Sequence, residues 1–394
     1  MFIIDEIHYL PPTPPVFDIL GGAGSFSALG ARLFSPPPLS RTVSWIVDKG
    51  SDFPPSLTEQ IESWQTSCLI REDDSRLTTR GWNGYDLSQN RAFKYTTPKL
   101  RLTTDSLTPS LLLSKSFHLI CSPTRCIDLV TTILRARKAL NKDIEKPLFI
   151  WEPVPDLCLP TELLNCTNCL PYIDILSPNA NELAGFMGDV GSEIDALTHS
   201  ISKPWVERAC DQLLGSMPLQ SYALVVRCGA QGVYVAKNGG RSRRPSMKRK
   251  NWKARRPANH ARGGLTLDMD MTALFAGLLD EDGELVREEE VEMDPGIERW
   301  LPAYFTEGDV ERVVDPTGGG NGFLGGMAVA LARGRGVVEA SAWGSVAASF
   351  MIEQVGVPVL SSAPSGEGKE GEVELWNGLR VEERLEEYLK MVGL

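Results

Sequence analysis

Residues 313–334 read VVDPTGGGNGFLGGMAVALARG. An acid, a proline and a hydroxyl residue precede three successive glycines, and a long run of small and apolar residues follows. Consecutive glycines ahead of a helix let backbone N–H groups converge on one oxyanion with no Cβ in the way. The helix directs its N-terminal dipole at the same spot. The segment reads as an anion cradle at Gly318, Gly319 and Gly320, in which Asp315 either holds a metal ion or orients the loop and Thr317 offers a hydroxyl. Gly325, Gly326 and Ala328 suit the other use of small residues, close helix packing, but three glycines in succession ask for more than packing. No G-K-[ST] follows, so this is not a Walker loop. Asn321 is a neutral amide that can position a hydroxyl but not deprotonate it.

Working outward, apolar strands alternate with helices. SFHLICSP (116–123) leads into CIDLVTTILRARKAL, then KPLFIWEP (146–153). YIDILSP precedes NANELAGFMG, and SYALVVRCG precedes QGVYVAKNGG. PVFDIL and TVSWIVD flank the helical SFSALGARLF, and the last third is helical. Such alternation predicts an α/β/α sandwich, a mostly parallel sheet covered on both faces. Residues 78–104 alternate polar and aromatic side chains and predict a small β lid.

The totals exclude several classes. The net charge is −11, so the whole protein is no polyanion binder. No apolar run approaches the ~20 residues of a membrane span. The N-terminus, MFIIDEIHYL, has acids where a signal peptide is basic. Eight cysteines without regular spacing suggest reduced thiols in the cytoplasm. Cys166 and Cys169, with Cys158 nearby, lack the second pair of a zinc site and read as plain thiols. Residues 238–300 break the rhythm as a solvated, poorly ordered insertion. It holds nine Lys or Arg in 241–256, then nine acids in 280–294. The basic run could be a nuclear address; Trp252 alone gives nucleic-acid bases little to stack on, so nucleic acid is not the expected partner.

A second glycine turn, LGGAGSFSALGARL (20–33), approximates the dinucleotide pattern G-x-G-x-x-G, with Asp48 at the end of the next strand. Alone it supports a nicotinamide-dependent oxidoreductase, which leaves the C-terminal glycine loop without a use. Taken together, these stretches resemble the PfkB-type carbohydrate kinases, the ribokinase-like family. Asp315-Pro316-Thr317-Gly318-Gly319-Gly320-Asn321 is similar to that family's D-T-x-G-A-G-D signature. LGGAGSFSALGARL resembles its sugar-pocket turn, DILSPNANELAGFMG its N-x-x-E segment, and VVRCGAQGVYV its T-x-G-x-x-G turn. The matches span residue 3 to about 356, and the FIIDEI start looks most like a fungal branch linked to killer-virus maintenance.

The resemblance implies a single kinase domain over 1–394 that transfers phosphate from Mg·ATP to a sugar, polyol or nucleoside hydroxyl. Gly318 to Asn321 would stabilise the transferring phosphoryl group, with Asn321 in the catalytic-base position. Asn179 and Glu182 would organise Mg²⁺ through its waters. Asp5, Gly22 and Gly24 would hold the sugar-like substrate. Nucleotide binding would fall to Arg227, Gly229, Gly232, Asp315, Thr317, Ala347 and Phe350, with adenine between the Gly229–Gly232 turn and the helix around Ala347. A homodimer through the lid and a monomer are both compatible. Where the family has aspartate, Asn321 predicts weakened transfer or, alternatively, a pseudokinase that binds and regulates. Asn321-Gly322 is also a pair prone to deamidate with age.

Overall fold

The computed structural model describes residues 2–85, 91–241, 293–364 and 372–394. Its strands are, in chain order, β1 (Ile3–His8), β2 (Val16–Gly21), β3 (Ser44–Gly50), β4 (Ser67–Asp73), β5 (Arg80–Tyr85), β6 (Arg91–Tyr95), β7 (Ser116–Cys121) and β8 (Leu148–Pro153). They continue as β9 (Ile175–Leu176), β10 (Ala223–Arg227), β11 (Val233–Lys237), β12 (Gly240–Arg241), β13 (Met293–Asp294), β14 (Ile297–Leu301), β15 (Leu360–Pro364) and β16 (Glu372–Trp376).

The central sheet has the order β14-β11-β10-β9-β8-β7. β7 to β10 run parallel, while β11 and β14 are antiparallel to their neighbours. Its strands are apolar on both faces because both faces are covered. Ile150, Val225, Val233 and Val235 enter one core, and the alternate residues Phe149, Trp151, Leu224, Val226 and Tyr234 enter the other. Helices Ala23–Leu33, Gly319–Ala332, Val337–Met351 and Val381–Val392 close the first core. Helices Pro123–Leu140, Leu163–Cys169, Ala180–Met187 and Lys203–Ser216 close the second. The expected three-layer sandwich is the architecture found.

A second sheet, β2-β1-β5-β6, forms the lid. β5 and β6 lie within the expected 78–104 segment, and β1 and β2 join them: β2 pairs antiparallel with β1, and β1 parallel with β5. β3 pairs with β4 in a separate ribbon. β2 and β3 therefore share no sheet and do not form the strand-helix-strand unit a dinucleotide turn requires. Asp48 instead binds Arg71 at 2.6 Å. Both observations count against the nicotinamide reading.

Cys158, Cys166 and Cys169 are buried free thiols in the second core. Burial pushes the Cys158 thiol up to about 12. Among the described residues no cluster of His, Cys, Asp or Glu is arranged to hold a metal ion, and no helix is long and apolar enough to cross a membrane. The chain divides into one unit of Met1–Asn238 with Ile297–Leu394 and another of Gly239–Gly296. The described part of the second unit is the β12–β13 ribbon, and most of the expected charged insertion lies outside the described residues.

Helices Ala23–Leu33 and Gly319–Ala332 touch backbone to backbone. A Cβ on Gly30 would meet the Gly322 carbonyl, and one on Gly325 the Ser27 carbonyl. Gly215 is exposed near the end of its helix, with open space around its Cβ position. Gly325→Ala should therefore lower stability by about 1–3 kcal/mol through overpacking. Gly215→Ala should raise it by up to about 1 kcal/mol. Urea unfolding midpoints of the two variants, displaced in opposite directions, check this.

Candidate functional site

Parallel strands bring their carboxyl ends to one edge, where α/β sheets place ligands. Glu152 is the penultimate residue of β8 and Arg227 the last of β10. His118 comes from β7, and Asn321 from the first turn of Gly319–Ala332. The Glu152 carboxylate is buried and gathers the other three. Oε1 lies 2.9 Å from an Arg227 guanidinium nitrogen. Oε2 lies 3.0 Å from His118 Nε2 and accepts a hydrogen bond from Asn321 Nδ2 at 2.7 Å. The far ring nitrogen, His118 Nδ1, lies 2.9 Å from Ser27 Oγ.

Arg227 also reaches the Ser177 carbonyl at 3.0 Å and Glu182 at 3.4 Å. One guanidinium thus serves two carboxylates. Burial raises the Glu152 pKa, but the charge of Arg227 and the His118 contact outweigh it and bring it down to about 2. Burial dominates at Glu182, and the nearby Glu152 charge adds to it; together they raise its pKa to about 7 against the pull of Arg227.

The glycine loop meets this cluster. Gly318 has φ +81°, a left-handed conformation suited to glycine, and no side chain caps the helix that follows. Its Cβ position is taken by the Phe26 ring, that of Gly319 faces the Ile352 side chain, and that of Gly320 faces the Arg227 guanidinium. Packing therefore accounts for more of the triplet than its succession implied: each glycine admits a neighbouring side chain. Asp315 is buried, and its Oδ1 accepts the Thr317 N–H at 2.9 Å. That bond ties Asp315 to the loop backbone two residues on.

Asn179 and Glu182 form a capping box. Asn179 Oδ1 accepts the Glu182 N–H, and Glu182 Oε2 the Asn179 N–H, both at 2.8 Å. Asp5 is buried on β1, its carboxylate occupying the space that Gly21 and Gly81 leave by lacking side chains. Gly22, with φ +87°, starts the helix that carries Gly24 and Ser27. Gly229 (φ +54°) and Gly232 (φ +88°) form the turn between β10 and β11, with open space at Gly229.

Ala347 and Phe350 are fully buried: Ala347 packs at Gly326, and the Arg384 guanidinium covers the Phe350 ring at 3.9 Å. One expectation needs correction: Asn321-Gly322 is not in flexible chain. The Gly322 N–H, the nitrogen that would attack the amide, donates to the Gly318 carbonyl at 2.8 Å within a helical turn, which disfavours deamidation. His118 and Glu152 were not anticipated, and Ser27 stood out only as the last position of the degenerate G-x-G-x-x-G pattern. The available signal was a glutamate in the otherwise apolar buried strand LFIWEP.

Asn321→Asp would set two carboxylates against each other where an amide now donates. At an effective dielectric of about 20 their repulsion is roughly 5 kcal/mol, so the new acid keeps its proton and does not act as a base at neutral pH. Its raised pKa makes stability fall as pH rises above the ordinary aspartate value. The variant should lose about 1–3 kcal/mol at pH 8 and less near pH 5, with Glu152→Gln restoring much of the loss; unfolding curves at both pH values test this. Glu182 behaves similarly in the native chain: its folded pKa lies above the ordinary 4.5, so its contribution declines as pH rises from about 4.5 to about 7. Glu182→Gln keeps a capping side chain and should flatten that slope.

No family model matches the chain. Protein MAK32 of Saccharomyces cerevisiae is 32% identical over 404 residues, which cover all of this chain and 92% of that protein. A ribokinase from Giardia lamblia superposes with a TM-score of 0.57 at 15% identity, covering 99% of this chain and 96% of the other. A ribokinase from Cryptococcus neoformans, solved with ADP, gives 0.54 at 15% identity over 90% and 93%. By its relationship to MAK32 the chain belongs to the fungal family that contains that protein, and its fold is that of the ribokinases.

Proposed function

We propose that this chain binds Mg·ATP at the start of helix Gly319–Ala332 and transfers the terminal phosphoryl group, slowly, to an alcohol of a sugar, polyol or nucleoside. The observation that carries this reading is an uncapped helix N-terminus with a guanidinium held against its second residue, Gly320. Backbone N–H groups and a fixed cation are what a developing phosphoryl charge needs. The ADP carried by the Cryptococcus relative supports a nucleotide ligand.

The residues fit the ligands as follows. Gly318 to Asn321 would receive phosphate oxygens, and Arg227 would add a second point of attachment. The Gly229–Gly232 turn, with open space at Gly229, is the candidate contact for the base. Mg²⁺ would be held through water by Glu182, since Asn179 and one Glu182 oxygen are committed to the helix cap. Bound there, Mg²⁺ would neutralise phosphate charge, a task it commonly shares with one or two carboxylates and several waters. Asp5, Gly22 and Gly24 would face the acceptor. Asn321 would position the acceptor hydroxyl; loss of base assistance typically costs ~10²–10⁴ in rate.

A second reading, a pseudokinase acting as scaffold or sensor, is favoured by one feature: the Asn321 amide is committed to Glu152 and leaves no proton acceptor at that position. Pairing of two copies through the lid, where Phe17 and Phe93 are exposed, and a cytoplasmic location belong to the same proposal.

Calorimetric titration with Mg·ATP, followed by turnover against pentoses, hexoses, polyols and nucleosides, separates the readings. Binding with slow turnover of one acceptor class is expected. Binding without turnover favours the pseudokinase; absence of ATP binding overturns the kinase reading, and absence of both ATP and sugar binding overturns the pseudokinase as well. The double variant Arg227→Met with Glu152→Gln, which removes the guanidinium together with its nearer carboxylate partner, should weaken ATP binding about 10-fold or more.

A further inference from the structure

Ser27, His118 and Glu152 form a chain of hydrogen bonds that phosphate binding does not require. They come from a helix, β7 and β8, separated by 91 and 34 residues, so no local preference explains their meeting. Glu152 is held by Arg227 and Asn321 on one side and by His118 on the other. A carboxylate at Nε2 makes that nitrogen the donor. Nδ1 then carries the lone pair, and Ser27 Oγ, 2.9 Å away, is the donor to it. A hydroxyl donating to an imidazole whose far nitrogen is fixed by a carboxylate is the arrangement that activates serine nucleophiles.

The bland alternative is a core histidine satisfied by two neighbours. The position of Ser27 argues against leaving the matter there. Ser27 is half-buried and not sealed in the core. The ring of Phe26, next to it, fills the space at Gly318, and the Ser27 carbonyl abuts Gly325. The serine is thus bracketed by the glycine helix, one imidazole and one carboxylate away from Asn321.

We infer that Ser27 is an activated hydroxyl that accepts the terminal phosphoryl group of the nucleotide held at the glycine loop. The inference rests on the nucleotide reading above for its donor, and on this geometry alone for the activation. Ser27 Oγ forms a bond to the γ-phosphorus, and the bond from that phosphorus to the β–γ bridging oxygen breaks. ADP leaves, and the hydroxyl proton passes to His118 Nδ1.

Two measurements on the full chain test the halves separately. A fluorophosphonate probe, whose phosphorus–fluorine bond breaks on attack by an activated serine, needs no nucleotide. Peptide mapping should find the label on Ser27. Ser27→Ala should abolish it, His118→Gln should slow it by about 10²-fold or more, and Ser25→Ala, one turn from the lid, should leave it unchanged. No label on Ser27 in folded wild-type protein overturns the activation, whatever the variants do. Incubation with γ-labelled Mg·ATP should place phosphate on the same peptide, dependent on Ser27 and His118. If ATP binds and Ser27 takes the probe but no phosphate, phosphoryl acceptance is overturned while the nucleotide reading stands. If calorimetry shows no ATP binding, the donor and the nucleotide reading fail together, and the probe alone decides the activation.

Discussion

One buried carboxylate organises the site. Removing an ionised group from water costs several kcal/mol unless hydrogen bonds and an opposite charge replace the lost solvation. Glu152 obtains them from Arg227, His118 and Asn321, each delivered by a different element. The arrangement constrains all three. Residue 321 must be a donor toward Glu152, which an amide is at every pH and a carboxylate is only while it keeps a proton. Asn321 is therefore one member of a matched set of residues.

The same reasoning applies to charge. Arg227 stands between two carboxylates, and the site resolves the excess by ionising Glu152 and raising Glu182. An arriving phosphate would compete for that guanidinium, while a divalent cation near Glu182 would stand close to an existing positive charge. A preorganised arginine suits planar, two-point contact with phosphate oxygens better than a flexible ammonium would. A fixed positive charge stands beside the helix N-terminus here, while residue 321 offers an amide and no proton acceptor.

The glycine helix serves two ends at once. Glycines 322 and 325 allow it to lie against helix Ala23–Leu33, while glycines 318–320 admit Phe26, Ile352 and Arg227 around the loop. Close packing brings Ser27 toward the sheet edge, where His118 meets it. Substitution within this helix should therefore disturb stability and the polar site together.

Much of the architecture was legible in the sequence because its causes are local. Alternating apolar residues wrote the strands of the sandwich, and three glycines before an apolar run marked the helix start. The Asn179–Glu182 spacing marked a helix N-terminus, since the capping box needs only four consecutive residues. What escaped depended on distance along the chain. Glu152 meets Asn321 across 169 residues and His118 across 34, and His118 meets Ser27 across 91. No periodicity encodes such pairs. The complete burial of Ala347 and Phe350 escaped for the same reason, since which face a helix turns inward is settled by its neighbours. Sequence alone determined that the Gly318–Asn321 loop opens a helix. Only the tertiary structure decided that residue 321 answers to a buried carboxylate, because the cost of an unsatisfied charge exists only once the chain has folded around it.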